Sequence, residues 1–257
     1  MTASAPLLAS VERDGALLRL TLARPKANIV DGAMIAALRA ALAQHAGSAT
    51  LRGVLLDAQG PHFSFGASVE EHLPAACGPM LAGLHALIVA MVEFPAPILV
   101  AVRGQCLGGG LEVALAGSLI FAAPDAKLGQ PEMKLGVFAP AASVLLPLRI
   151  GQARAEDLLY SGRSIDAATA LAWGLANEVS DDPSAAALAY FESHLAGKSA
   201  ASLAHAVRAA REPFADLARA RLEDVETLYL EKLMTTRDAN EGLKAFIEKR
   251  QPKWEHR

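Results

Sequence analysis

The chain is poor in cysteine and in aromatic residues, and it has no surplus of either charge. Among 257 residues there are two cysteines, Cys77 and Cys106, and neither falls in a CxxC or Cys/His spacing. That argues against a metal ligand set or a disulfide framework, and Cys106, in an apolar stretch, reads as a small core residue. With 24 Lys and Arg against 27 Asp and Glu, the net charge of −3 provides no field for nucleic acid or an acidic membrane surface. An anionic ligand must therefore be met by a few local cations and backbone N–H groups. Long apolar runs are missing too. The most apolar stretch, Leu84 to Val102, is interrupted by His85, Glu93, Pro95 and Pro97, so no membrane span is expected. Met1 to Leu8 lacks the basic and apolar regions of a secretory signal. The expectation is a cytoplasmic protein with no metal.

What is present is 53% hydrophobic residues, enough for one large α/β domain or a domain with a helical appendage. Val11 to Leu22 reads as a hairpin turning at Asp14-Gly15. Asp31 caps a helix that carries Met34, Ile35, Leu38 and Leu42 on one side. Gly53 to Leu56 and Ile98 to Val102 are short buried strands, with a helix from about Pro79 to Val92 between them. Gly108-Gly109-Gly110 leads into a helix through Ala116, followed by a strand at Leu119 to Ala122. Strands alternating with helices predict a mostly parallel sheet. From Ala141 onward the pattern is almost wholly helical, with breaks near Ser161-Gly162, Trp173-Gly174, Asp182-Pro183 and Glu212-Pro213. These patterns divide the chain into an α/β core, 1–190, and a helical C-terminal region, 191–257.

Three short stretches could carry chemistry. Three consecutive glycines at 108–110 serve either a tight strand-to-helix turn or a helix start whose N–H groups face an anion. The loop Phe63-Ser64-Phe65-Gly66-Ala67-Ser68 follows a buried strand and could present the Ala67 N–H at the carboxyl end of the sheet; a plain connecting loop is the alternative. Glu112 and Glu132 lie in apolar contexts, where a carboxyl must be paired, hydrogen-bonded or protonated. Facing one cavity they would form an acid/base pair; otherwise each is a surface or capping glutamate.

Taken in order, Phe-x-x-Gly-Ala, Leu-Gly-Gly-Gly-x-Glu and Gly-Gln-Pro-Glu-x-x-Leu-Gly resemble the crotonase (enoyl-CoA hydratase/isomerase) family. The resemblance begins at Arg24-Pro25-Lys26-Ala27-Asn28 and reaches the C-terminal run from Glu241 to Arg250. It implies a ββα-spiral core, a helical C-terminal trimerisation region and a homotrimer or homohexamer. It also implies an acyl-CoA substrate that brings its own CoA, with no further cofactor. Ala67 and Gly109 match the family's oxyanion-hole amides, and Glu112 and Glu132 match its two catalytic glutamates. CoA contacts fall to Lys26, Ala27, Asn28, Phe246 and Lys249. Retention of both glutamates favours hydration; a straight-chain hydratase, an isomerase and an inactive acyl-CoA-binding paralogue are the alternatives.

The sequence departs from the family pattern after Gly136, where Val137-Phe138-Ala139-Pro140-Ala141-Ala142-Ser143 replaces a glycine-rich run. If Pro140 takes the place of a water-holding glycine, that donor is lost. Ser68 stands where many members have aspartate. Together with Phe65 to Pro74, these stretches resemble the branch of the family that hydrates cyclohexa-1,5-diene-1-carbonyl-CoA. An alicyclic ring is then the expected acyl group, with water added at the far end of the diene, and Ser68, His72, Phe138 and Pro140 are expected to line its pocket.

Overall fold

The computed structural model describes residues 5–257, so the part of the Met1 to Leu8 expectation that rests on residues 1–4 lies outside it. Strand β1 (Leu7–Glu12) turns through Arg13, Asp14 and Gly15, all at positive φ, into β2 (Leu17–Leu22). Helix α1 (Gly32–His45) is capped by the Asp31 carboxylate, which accepts from Met34 N–H at 2.9 Å. Next come β3 (Gly53–Ala58), α2 (Cys77–Val92), β4 (Ile98–Val102), β5 (Gln105–Leu107) and α3 (Gly109–Ala116). They are followed by β6 (Leu119–Ala122), β7 (Lys127–Gly129), α4 (Pro140–Ile150) and α5 (Gln152–Ser161).

Two strands and a helix recur along this core. β4 and β5 precede α3, and β6 and β7 precede α4, one strand of each pair entering each of two sheets. The segment after β3 joins the same scheme through a bridge from Ser64 to Cys106. In the larger sheet every strand except β1 runs parallel to its neighbour, in the order β1-β2-β3-β4-β6 and then β9 (Glu178–Val179). The smaller has the order β5-β7 and then β8 (Ser164–Asp166). Both faces of β3 and β4 are covered, which is why they read as unbroken apolar runs.

The second half departs from the expectation of near-continuous helix. β8 (Ser164–Asp166), α6 (Ala167–Ala172), β9 (Glu178–Val179) and α7 (Pro183–Tyr190) alternate there. Strands of two or three residues are too short to show alternation. The expected break at Glu212-Pro213 is also absent, because α8 (Ala200–Glu231) runs through Pro213. Contacts on either side of the proline hold the helix. Arg211 donates to the Ala116 carbonyl and the Ser118 hydroxyl, and Phe214 lies beneath the guanidinium groups of Arg211 and Arg149. Ala215, Ala218, Leu222 and Val225 of α8 join the main core, and α9 (Arg237–Ile247) closes the order. Among the described residues no helix is long and apolar enough to cross a membrane.

Candidate active site

The strand-to-helix turn at Gly108 brings backbone close to backbone. Gly108 has φ +50, and a Cβ there would stand 2.5 Å from Glu132 Oε1. A Cβ on Gly109 would lie 3.0 Å from Ala67 N, and one on Gly110 would lie 2.5 Å from Ser64 Cβ. Glycine is needed because any side chain would push the 64–67 loop off the helix start. Ser64 holds that loop, donating to the Asn28 carbonyl and accepting from Gly66 N–H. The Ala67 and Gly109 N–H groups have no protein acceptor among the described residues. Two free amides therefore sit side by side at the mouth of α3, where the helix dipole also favours negative charge. Arg149 caps the other end of α3, donating to the carbonyls of Leu115, Gly117 and Ser118.

Glu112 follows on the first turn of α3 and is 3% exposed. The Ala142 N–H donates to its Oε1 at 2.8 Å from the first turn of α4. Pro140 supplies no donor there, and the next free amides of the same helix start serve the carboxylate instead. Burial raises the Glu112 carboxyl to about 7, with the Ala142 and Ala141 N–H groups opposing the rise. Glu132 lies in the 3-10 turn Pro131–Leu135, which ends at Gly136 with φ +72. Its carboxyl is raised further, to about 8, by burial first and then by the charge of Glu112. The N–H donors on Glu112, and its charge beside Glu132, both favour Glu112 as the one that ionises first.

Both carboxyls face a cavity of about 450 Å³ that also receives Ala67, Gly109, His72, Phe138, Pro140 and Phe246. Val69, Leu81, Leu84 and Val137 make the rest of its inner wall apolar. Ser68 does not line it: its hydroxyl donates to Glu70 and accepts from Glu71 N–H, so its side chain serves the 3-10 turn at 70–72. The reading of Ser68 as a pocket residue is corrected accordingly. Asn28 is fully buried. Its amide donates to the carbonyls of Gln59 and His62, and its side-chain oxygen accepts from Arg24 N–H, so its side chain is unavailable to CoA. Lys26 and Lys249 are exposed and outside the cavity lining, and the Ala27 carbonyl holds Phe65 N–H.

Some contributors were not expected from the sequence. Gln130, with its amide turned to donate, stands 3.2 and 3.1 Å from the two Glu132 oxygens. Its place beside Glu132 in Gly-Gln-Pro-Glu could have suggested this. Tyr229 of α8 is fully buried behind the cavity, with its ring 5.2 Å from that of Phe138. Nothing in its local sequence distinguishes it from an ordinary core tyrosine. Arg250 and Pro252 also reach the cavity, because the chain after α9 folds back over the Glu132 turn.

Two sheets wound from ββα repeats, with two unpaired amides beside one buried and one half-buried carboxyl, define a crotonase-type enzyme. Comparison bears this out. The family model for enoyl-CoA hydratase/isomerase matches residues 12–257, and the chain belongs to that family. It is 64% identical to the cyclohexa-1,5-dienecarbonyl-CoA hydratase of Thauera aromatica, with 99% of each chain covered. It is 31% identical to the carnitinyl-CoA dehydratase of Proteus mirabilis, over 95% of this chain and 96% of that one. The crystal structure of an enoyl-CoA hydratase/isomerase from Pseudoalteromonas atlantica superposes with a TM-score of 0.86 at 30% identity, covering 97% of this chain and 99% of the other.

Proposed function

We propose that this enzyme, a hydratase-type carbon–oxygen lyase, hydrates cyclohexa-1,5-diene-1-carbonyl-CoA to 6-hydroxycyclohex-1-ene-1-carbonyl-CoA, a step of anaerobic benzoyl-CoA breakdown. One observation carries the chemistry: two carboxyls, Glu112 buried and Glu132 half-buried, share an apolar cavity with two free amides. The thioester oxygen accepts from Ala67 and Gly109 N–H. Glu112, held as carboxylate by Ala142 N–H, takes a proton from water as the oxygen bonds to a ring carbon. The electron pair of the double bond moves to the thioester oxygen, where the two amides stabilise the enolate more than the ground state. Glu132, still protonated, gives its proton to carbon, and the proton on Glu112 later passes to Glu132. Water has then been added and the enzyme restored.

The cyclic substrate is supported by the 64% identity to the Thauera enzyme, and by a compact apolar wall backed by Tyr229 and stiffened by Pro140. Lys26, the main chain at Ala27 and Asn28, Phe246 and Lys249 would hold the CoA moiety, with Lys249 as phosphate partner. We expect a homotrimer or a dimer of trimers in the cytoplasm, with no further cofactor. Turnover of the cyclic dienoyl-CoA measured beside crotonyl-CoA tests the substrate; faster hydration of crotonyl-CoA would sink it.

A further inference from the structure

His72 ends the 3-10 turn Glu70–His72, and that turn is fastened at two points. The Glu71 carboxylate accepts from Gly32 N–H at 3.0 Å, and Glu71 N–H donates to the Ser68 hydroxyl at 3.4 Å. The His72 ring lines the acyl cavity, with Nδ1 2.7 Å from the Ser68 carbonyl oxygen and its centroid 6.5 Å from that of Tyr229. A carbonyl oxygen only accepts, so Nδ1 carries the proton and Nε2 keeps a bare lone pair. Burial lowers the ring's pKa, with the Ser68 bond opposing, so the imidazole is neutral near pH 7. Among the described residues Nε2 has no protein partner, and unlike Nε2 of His85 it is not sealed inside the fold. It belongs to a ring that lines the cavity. The other titratable groups around it are Glu70 and Glu71 on its own turn, engaged with Ser68 and Gly32, Glu112, Glu132, Lys134 and Arg250 in the cavity lining, and Tyr229 and Cys77 behind it.

The chemistry leaves a need that this lone pair meets. A water in the cavity offers two O–H bonds. Glu112 accepts one and breaks it. Glu132, protonated at that stage, gives its proton toward the reacting carbon, and its remaining acceptor capacity is taken by the Gln130 amide. The second O–H would face Val69, Leu81, Val137 and Phe138 and lose the hydrogen bond it makes in water. After addition that same O–H is the hydroxyl of the product. We propose that His72 Nε2 accepts a hydrogen bond from the second O–H of the attacking water, and from the ring hydroxyl it becomes. This makes His72 a substrate-contacting residue that selects for the hydroxylated acyl group. The inference rests on the hydratase reading above but not on the ring.

The test compares two thioesters, 6-hydroxycyclohex-1-ene-1-carbonyl-CoA and its deoxy counterpart cyclohex-1-ene-1-carbonyl-CoA, on the wild-type enzyme, His72→Leu and His72→Gln. The leucine variant should bind the hydroxylated thioester about tenfold more weakly, bind the deoxy one equally well, and lose about tenfold in kcat. The glutamine variant, whose Oε1 can occupy the place of Nε2, should recover most of both. Equal weakening toward both thioesters, or an unchanged ratio, would overturn the proposal, since a merely structural His72 cannot tell them apart. Should His72→Leu fail to fold, His72→Met carries the same expectation. If the wild type hydrates crotonyl-CoA and ignores the cyclic diene, the substrate reading falls. The same ratio, taken with 3-hydroxybutyryl-CoA and butyryl-CoA, then still decides the role of His72.

Discussion

Replacing Glu132 by glutamine should make the protein more stable, and the gain should grow with pH. In the unfolded chain the Glu132 carboxyl ionises near 4.5, whereas in the fold burial and then Glu112 raise it to about 8. Below the lower value both states hold the proton and folding carries no penalty. Between the two, the folded state keeps a proton that the unfolded state has shed, so stability falls as pH rises. Above the upper value the loss is complete. At about 1.4 kcal/mol per pH unit the penalty is bounded near 5 kcal/mol, and since one face of Glu132 opens on the cavity we expect about 3 kcal/mol. Glutamine keeps the shape and cannot ionise. Denaturant melts of both proteins at pH 5 and pH 9, at one protein concentration, should show the stabilisation by Glu132→Gln to be larger at pH 9 by that amount. In thermal melts this is roughly 6–12 °C for a chain of this size. Turnover by the same variant should fall by about 10²-fold or more. A stability difference independent of pH would refute the claim that Glu132 is held protonated by its surroundings.

Hydration should be fastest between the two carboxyl values, falling below about 7 as Glu112 takes up a proton and above about 8 as Glu132 loses one; a flat kcat/KM profile from pH 5 to 9 would remove the acid/base roles. Gly109→Ala sets a methyl 3.0 Å from Ala67 N, between the two free amides, and should cost about 10²- to 10³-fold in kcat with the fold intact by circular dichroism. Asn28→Ala leaves the carbonyls of Gln59 and His62 and the Arg24 N–H without their buried partner, and should destabilise the protein by about 2–3 kcal/mol in urea melts.

Much of this was legible in the chain itself. The alternation of strand and helix through residue 122, the cap at Asp31 and the glycine turn at 108–110 follow from local propensity and sterics, which act over a few residues. The order of the motifs also carried the family, since Glu112 and Glu132 keep their neighbours whatever surrounds them. Only the tertiary structure decided which atoms meet. It turned Ser68 toward Glu70 and Glu71 and sealed Asn28 beneath its own loop. It set Tyr229 behind Phe138 and put the free amide of Ala142, rather than one at residue 140, against Glu112. Those outcomes depend on burial and on contacts between distant segments; burial raises both glutamates, and the Ala142 and Ala141 N–H groups on Glu112 and the charge of Glu112 on Glu132 set them apart. A carboxyl's spacing in sequence says nothing about how much water it loses on folding, and that loss is what lifts two ordinary glutamates above the usual carboxylate range.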